Sequence, residues 1–222
     1  MCGRFNLIAT SESIIEHFEL KRLPHYRPDY NIAPGQKILT IVQLDDGSRK
    51  AVNLHWGLIP SWSKDPKIAY RMINARAETL ADKPSFRAAY AKRRCLIPAT
   101  GFYEWHPTES GKQPYHVHYP TMRLCAFAGL WEHWENDNET IYSCTIVTCQ
   151  ALGVVAKIHD RMPLIVVPED YDAWLDKRDI PPNLHRFDQS AAYSDIELTA
   201  ISPYVNNPGH NDTACISPIH PV

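Results

Sequence analysis

The residue at position 2 offers two nucleophiles on one side chain and backbone. The chain opens Met1-Cys2-Gly3-Arg4-Phe5, and a residue as small as Cys permits removal of Met1. Cys2 then carries a free α-amine beside its thiol. An α-amine titrates near about 7.7–8.0, so roughly one in seven is neutral at pH 7, whereas a Lys amine near about 10.4 is almost wholly charged. The thiol is a second nucleophile, with an ordinary pKa of about 8.5. Such an aminothiol condenses with an aldehyde: the amine forms an imine and the sulfur closes a five-membered thiazolidine. Alternatively, the thiol attacks a carbonyl with the α-amine as its base. The plainer reading is a small residue behind a start codon.

Three further segments hold groups that move protons or grip anions. Gly101-Phe102-Tyr103-Glu104-Trp105-His106 sets one carboxylate among aromatic rings. As a strand it places Phe102, Glu104 and His106 on one face. A carboxyl crowded by apolar rings loses solvation of its charged form, so its pKa rises and it can act as a general acid near neutrality. A half-exposed strand would instead leave Glu104 in water. Lys157-Ile158-His159-Asp160-Arg161-Met162-Pro163 offers His159 as a proton shuttle, Asp160 to restrain it and Arg161 for a phosphate. Its plainer reading is a turn with one His. Asn74-Ala75-Arg76-Ala77-Glu78-Thr79 points Asn74 and Arg76 the same way if extended, and Arg is a bidentate clamp for phosphate. Otherwise it is a polar loop. Trp62, in Pro60-Ser61-Trp62-Ser63, stacks on a base or packs on the domain edge. His116 and His118 have the spacing of a strand-borne metal pair, but no acid or third His is near in sequence, so no metal site is expected. No Gly-rich phosphate loop or GxSxG elbow is present, and no cofactor is expected.

The elements that must position these groups are short. Thr10 or Ser11 caps a helix with Ile14, Ile15 and Phe18 on one side. Lys37 to Gln43 and Ala51 to Trp56 read as strands joined by a turn at Asp46-Gly47. Residues 85–93 read as a helix, followed by a buried strand at Cys95-Leu96-Ile97. Phe102 to Trp105, Tyr115 to Tyr119, Leu124 to Ala128, Ile141 to Thr148 and Leu164 to Val167 are further strands. Pro168-Glu169-Asp170 opens a short helix through Leu175. Many short strands with hairpin-length links imply a single α+β domain over 1–222, with mostly antiparallel, barrel-like sheets and a few flanking helices.

Composition narrows the class. At 222 residues, 44% hydrophobic and 22% charged, the chain suits one globular core. There is no apolar run of membrane-spanning length and no secretory h-region. The six scattered cysteines, none in a CxxC pair, fit a reduced cytoplasmic protein, and Cys144 and Cys149 read as core positions. A net charge of −2 counts against indiscriminate coating of nucleic acid, but not against a local basic groove. The run Lys83, Arg87, Lys92, Arg93, Arg94 reads as a solvated helix face.

Seven segments in order carry a resemblance over nearly the whole chain. They are Cys2-Gly3-Arg4-Phe5, Tyr30-Asn31-Ile32-Ala33-Pro34-Gly35, Trp56-Gly57-Leu58-Ile59-Pro60, Ile73 to Thr79, Arg94 to Ala99, Gly101 to Trp105, and Ile158 to Pro163. Together they resemble the SOS response-associated peptidase (SRAP) family of abasic-site processing proteins. The resemblance implies a protein that binds abasic sites in single-stranded DNA, at gaps or single-strand/double-strand junctions, as a monomer of the bacterial cytosol or nucleoid. It implies that the Cys2 amine attacks the aldehyde of the opened deoxyribose and that its sulfur closes a thiazolidine, giving a DNA–protein crosslink. Glu104 and His159 take the family's catalytic proton-handling roles, and Asn74 orients the sugar and the N-terminus. Arg4, Arg76 and Arg161 grip phosphates, Trp62 stacks or wedges beside the base-paired side, and Gly3, Asn31, Pro34 and Thr148 complete the DNA groove. Two features depart from the family pattern. Asp82-Lys83-Pro84-Ser85 stands where relatives carry another Arg, so either Lys83 or Arg87 substitutes or the contact is absent. Only Trp62 stands where relatives carry two aromatics. Other classes share parts of the pattern: an N-terminal-nucleophile amidohydrolase, a thiol peptidase using Cys2 with His159, and a non-catalytic nucleic-acid-binding module.

Overall fold

The computed structural model describes residues 2–109, 111–177 and 190–219. Its strands in chain order are β1 (Phe5–Leu7), β2 (Asp29–Ile32), β3 (Lys37–Gln43), β4 (Arg49–Trp56), β5 (Asn74–Arg76), β6 (Arg94–Ala99), β7 (Gly101–Thr108), β8 (Gly111–His118), β9 (Cys125–Glu135), β10 (Thr140–Gln150), β11 (Arg161–Pro163), β12 (Ile165–Val166) and β13 (Glu197–Ala200). Short helices α1 (Ser11–His17), α2 (Arg87–Lys92), α3 (Tyr171–Leu175) and α4 (Ser190–Tyr193) flank them.

Local chemistry explains the elements. Thr10 accepts a hydrogen bond from the Ser13 amide (3.2 Å) and caps α1, which buries Ile14 and, just beyond its end, Phe18. The β3–β4 turn closes because Asp46 accepts from the Ser48 amide and hydroxyl, while Gly47 takes φ +84° at no steric cost. β9 and β10 run to 11 residues each, longer than the apolar runs that mark them, because their outer ends pair with each other from Thr140↔Glu135 inward.

The strands form two sheets. The first has the order β13-β8-β7-β1-β2 and is antiparallel throughout. The second has the order β11-β10-β4-β3-β6-β9-β12. There β9 also pairs with β10, so β10, β4, β3, β6 and β9 close into a ring. β10 runs parallel to β4 and to β5, and the other pairings are antiparallel. The result is the α+β, mostly antiparallel, barrel-containing fold that the sequence pattern implies. Phe5 on the first sheet packs edge-on against Trp56 (5.3 Å between ring centres) and Phe127 (5.8 Å) on the second. These buried rings join the sheets, each contributing on the order of 2 kcal/mol by burial.

The basic run is not a uniformly solvated face. Lys83, Arg87 and Lys92 are exposed, but Arg94 is buried. Its guanidinium donates to the carbonyls of Tyr90 and Ala91 in the last turn of α2, and to those of Trp174 and Asp176 at the end of α3. The ends of two short helices leave carbonyls that need donors, and one arginine supplies several. Arg93 pairs with Glu132 at 2.6 Å.

Gly101 sits where β8 passes close against β7. A Cβ there would lie 2.4 Å from His116 Nε2 and 2.8 Å from the Val117 carbonyl oxygen. Because part of that obstruction is backbone, Gly101→Ala is expected to lower stability by about 1–3 kcal/mol in urea unfolding. An unchanged midpoint would refute the close packing.

Candidate active site at the junction of two sheets

The N-terminal segment is drawn into the protein because β1 is paired on both sides. It pairs on one side with β2 (Phe5↔Ile32) and on the other with β7 (Phe5↔Phe102), and the Tyr103 amide donates to the Arg4 carbonyl. Cys2, just before it, is fully buried. Asn74 opens β5, which lies beside β10 in the second sheet. Its Nδ2 donates to the Cys2 carbonyl at 2.8 Å. The other atom of that amide, Oδ1, is buried and has no hydrogen-bond partner among the described residues, so it can accept from a group entering the site.

Glu104 lies on β7 and is only 3% exposed, so the segment is not a half-wet strand. His159 stands in the turn between a 3₁₀ segment (Val155–Lys157) and β11, with Nε2 3.7 Å from Glu104 Oε2. Its Nδ1 lies 2.9 Å from the Arg161 amide nitrogen and 3.1 Å from the Arg161 carbonyl oxygen, so the Arg161 backbone holds the ring with Nε2 toward Glu104. Asp160 lies 3.0 Å from Nδ1, in the restraining position expected of it. Cys2, Asn74, Glu104 and His159 therefore converge from four separate segments.

Burial sets their protonation. It pushes the Glu104 carboxyl from 4.5 up to about 7, so near neutrality this group can both donate and accept a proton. Burial, and then the charge of Glu104, push the Cys2 thiol far above its ordinary value. Burial also holds the His159 imidazole below its ordinary pKa. The cysteine in this site is thus a protonated thiol, not a ready thiolate.

Arginines lie on the elements that carry the cluster: Arg4 follows Cys2, Arg76 shares β5 with Asn74, and Arg161 follows His159. Arg4 Nη1 donates to Asn31 Oδ1 (2.7 Å) and to the Val205 carbonyl (3.0 Å), and its guanidinium lies 6.0 Å from the Trp105 ring centre. Asn31 is buried, and its Nδ2 reaches the carbonyls of Val205, Asn207 and His210. Its side chain braces Arg4 and residues 205–210. Arg76 and Thr148 are register partners on β5 and β10. Arg161, on β11, donates to the Thr148 carbonyl at 2.6 Å and to both carboxylate oxygens of Glu78. Gly3 is half-buried between Cys2 and Arg4. Pro34 stands in the turn before β3, next to Gly35 at φ +88°. Trp62 is 59% exposed on a loop pinned by the Trp134 indole to the Ser63 carbonyl. Among the described residues, no three His, Cys, Asp or Glu side chains are grouped to hold a metal. His116 and His118 stack on each other and bond to Asn6 and Thr199.

Two contributors escape a sequence reading. Glu78 lies in a motif whose Asn and Arg draw attention, and its only signal is a carboxylate two residues after Arg76. Residues 205–210 act through backbone carbonyls, which no residue type announces.

Fold and site together define a class: a two-sheet α+β domain with a cysteine at position 2 buried beside a carboxylate that faces an imidazole, and with arginines on the same elements. Residues 1–208 match the family described as "SOS response associated peptidase (SRAP)", and the chain belongs to that family. It is 44% identical over 223 residues to the abasic site processing protein YoqW of Bacillus subtilis, covering 97% of this chain and 99% of that one. It is 31% identical to the abasic site processing protein HMCES of Xenopus tropicalis, covering 87% of this chain and 67% of that one. Among solved structures, a phage-related protein from Bordetella bronchiseptica superposes with TM-score 0.70 at 30% identity, covering 90% of this chain and 94% of that one. A protein from Bacteroides thetaiotaomicron superposes with TM-score 0.80 at 21% identity, covering 99% and 100%, a likeness of fold.

The raised pKa of Glu104 has a consequence for stability. Below about pH 4.5 the carboxyl is protonated in both the folded and unfolded states and contributes nothing. As pH rises from 4.5 to about 7, the unfolded group ionises while the folded one does not. The folded state then holds the extra proton, so stability falls across this window, by up to about 3 kcal/mol. Glu104→Gln is expected to remove that fall in urea unfolding followed from pH 4 to 8. A wild-type curve without the decline would show that Glu104 ionises freely.

Proposed function

We propose that this protein captures abasic sites in single-stranded DNA by forming a thiazolidine between Cys2 and the lesion's aldehyde. The single observation that carries the reading is the buried Glu104 carboxyl, held near pKa 7 in a cluster with Cys2 and His159. The names of the relatives, which describe abasic-site processing, support the choice of substrate.

The steps follow from the groups present. With Cys2 as the N-terminal residue, its neutral amine attacks C1 of the ring-opened deoxyribose. That aldehyde forms as the C1 hydroxyl gives its proton to the Glu104 carboxylate and the ring oxygen takes one from His159, which Glu104 then reprotonates, so one proton passes from the hydroxyl to the ring oxygen. Glu104 moves the amine's proton to the hydroxyl of the carbinolamine, water leaves, and an imine remains. The Cys2 sulfur then adds to the imine carbon and its proton passes to the nitrogen, closing the five-membered ring. The balance is aldehyde plus aminothiol giving thiazolidine plus water. Asn74 fixes the Cys2 carbonyl, and through it the aminothiol, while its free Oδ1 accepts from the sugar. Arg4, Arg76 and Arg161 hold the flanking phosphates, Gly3, Asn31, Pro34 and Thr148 line the groove, and exposed Trp62 stacks on a base. The protein acts as a single-domain monomer in the cytoplasm.

A thiol peptidase or amidohydrolase fits less well. Both need a thiolate, and burial beside Glu104 opposes one. An amine-first condensation uses the thiol in its protonated form and needs no thiolate until the ring closes.

The test is incubation of mature protein with a single-stranded oligonucleotide bearing one abasic site, followed by denaturing electrophoresis. A shifted, denaturant-resistant band is expected for wild type and absent for Cys2→Ala. Glu104→Gln is expected to slow its appearance by roughly 10²–10⁴-fold. Equal crosslinking by wild type and Cys2→Ala would end the proposal.

A further inference from the structure

Arg161 presents its fork to Glu78, not to open solvent. Nη1 donates to Glu78 Oε1 at 2.7 Å and Nη2 to Oε2 at 3.0 Å, a bidentate pair. A phosphodiester offers the same two-oxygen face, and a guanidinium fork accepts either anion with equal geometry. The two partners are not equally fixed. The Arg161 side chain is 13% exposed and is anchored from behind by the Thr148 carbonyl at 2.6 Å. The Glu78 side chain is 52% exposed and stands in the 3₁₀ turn Ala77–Thr79, next to Arg76. When the pair opens, the arginine stays and the carboxylate leaves.

We propose that Glu78 is an internal phosphate surrogate, a specificity-determining residue that occupies the Arg161 fork and must be displaced before a DNA phosphate can bind there. The proposal rests on the reading of Arg161 as a phosphate contact. The carboxylate keeps Arg161 pre-shaped for a two-oxygen anion while taxing every strand that enters. An undamaged strand has only its phosphates with which to displace Glu78. A strand with an abasic site also gains a covalent bond at Cys2, so the tax falls mainly on intact DNA. Glu78 thereby shortens residence on undamaged single strands without needing to read a base.

The experiment measures equilibrium binding of a fluorescent, undamaged single-stranded oligonucleotide across a series of salt concentrations. The proteins are wild type, Glu78→Gln, Glu78→Ala, Arg161→Ala and the Glu78→Gln/Arg161→Ala double variant. Both Glu78 variants are expected to bind about 3–10-fold more tightly at low salt. Their plot of log affinity against log salt is expected to steepen by about 0.7, the slope of one added phosphate contact on a single strand. The gain is expected to vanish in the double variant. If Arg161→Ala leaves affinity unchanged, the phosphate reading of Arg161 fails. If Arg161→Ala weakens binding and the Glu78 variants bind equally or more weakly than wild type, Arg161 contacts DNA but Glu78 only supports it, and the surrogate proposal is overturned.

Discussion

One amide–carbonyl hydrogen bond, from Asn74 Nδ2 to the Cys2 oxygen, crosses the line where the two sheets meet. Cys2 precedes a strand of the first sheet, and Asn74 opens a strand of the second. The bond holds only because β1 is wedged between β2 and β7, with Phe5 packed on Trp56 and Phe127 of the other sheet. A frayed N-terminus would leave the nucleophile in water, where a thiol and an amine have ordinary pKa values and no fixed geometry. Here aromatic packing does the work of positioning, and the hydrogen bond sets the register of the last residue.

Position then determines charge. The same enclosure that orders Cys2 also dries Glu104, moving its carboxyl to about 7 and opposing ionisation of the thiol. These effects have opposite uses. A carboxyl near neutrality relays protons, while a thiol kept protonated does not spend itself on other electrophiles before an aldehyde arrives. His159, held by the Arg161 backbone and lying beside Asp160, adds a second titratable group with Nε2 toward Glu104. A dry interior for chemistry is joined to a wetter rim for anions, where Arg76 is exposed two residues from Asn74 on β5.

The rim is held by partners that are not themselves charged. Arg4 is held by the Asn31 amide oxygen and the Val205 carbonyl, and Arg161 by the Thr148 carbonyl. Neutral acceptors orient a guanidinium without neutralising it, so its attraction for phosphate is kept. Glu78 is the exception, a full counter-charge on an arginine fork, and its exposure is what makes it exchangeable.

Much of this was legible in the residues alone. The β3–β4 hairpin is written in alternating apolar residues around Asp46-Gly47, and α1 in Thr10 and the spacing of Ile14 and Phe18, because turns and caps are local chemistry. Cys2, Asn74, Glu104 and His159 could be singled out as candidates by residue type and by the resemblance, because only a few residue types can condense with an aldehyde or move a proton near neutrality, but their convergence could not. Strands β1, β2 and β13 were not legible, since three or four residues carry too little periodicity to declare pairing. Arg94 was misjudged because a long polar side chain looks the same in sequence whether it faces water or a ring of carbonyls. The sequence by itself determined which groups are available and their ordinary pKa values. Only the tertiary structure decided that Glu104 is dry, that Cys2 is buried beside it and that Glu78 holds Arg161. Desolvation and fork geometry depend on neighbours brought together from distant parts of the chain, and no local pattern encodes them.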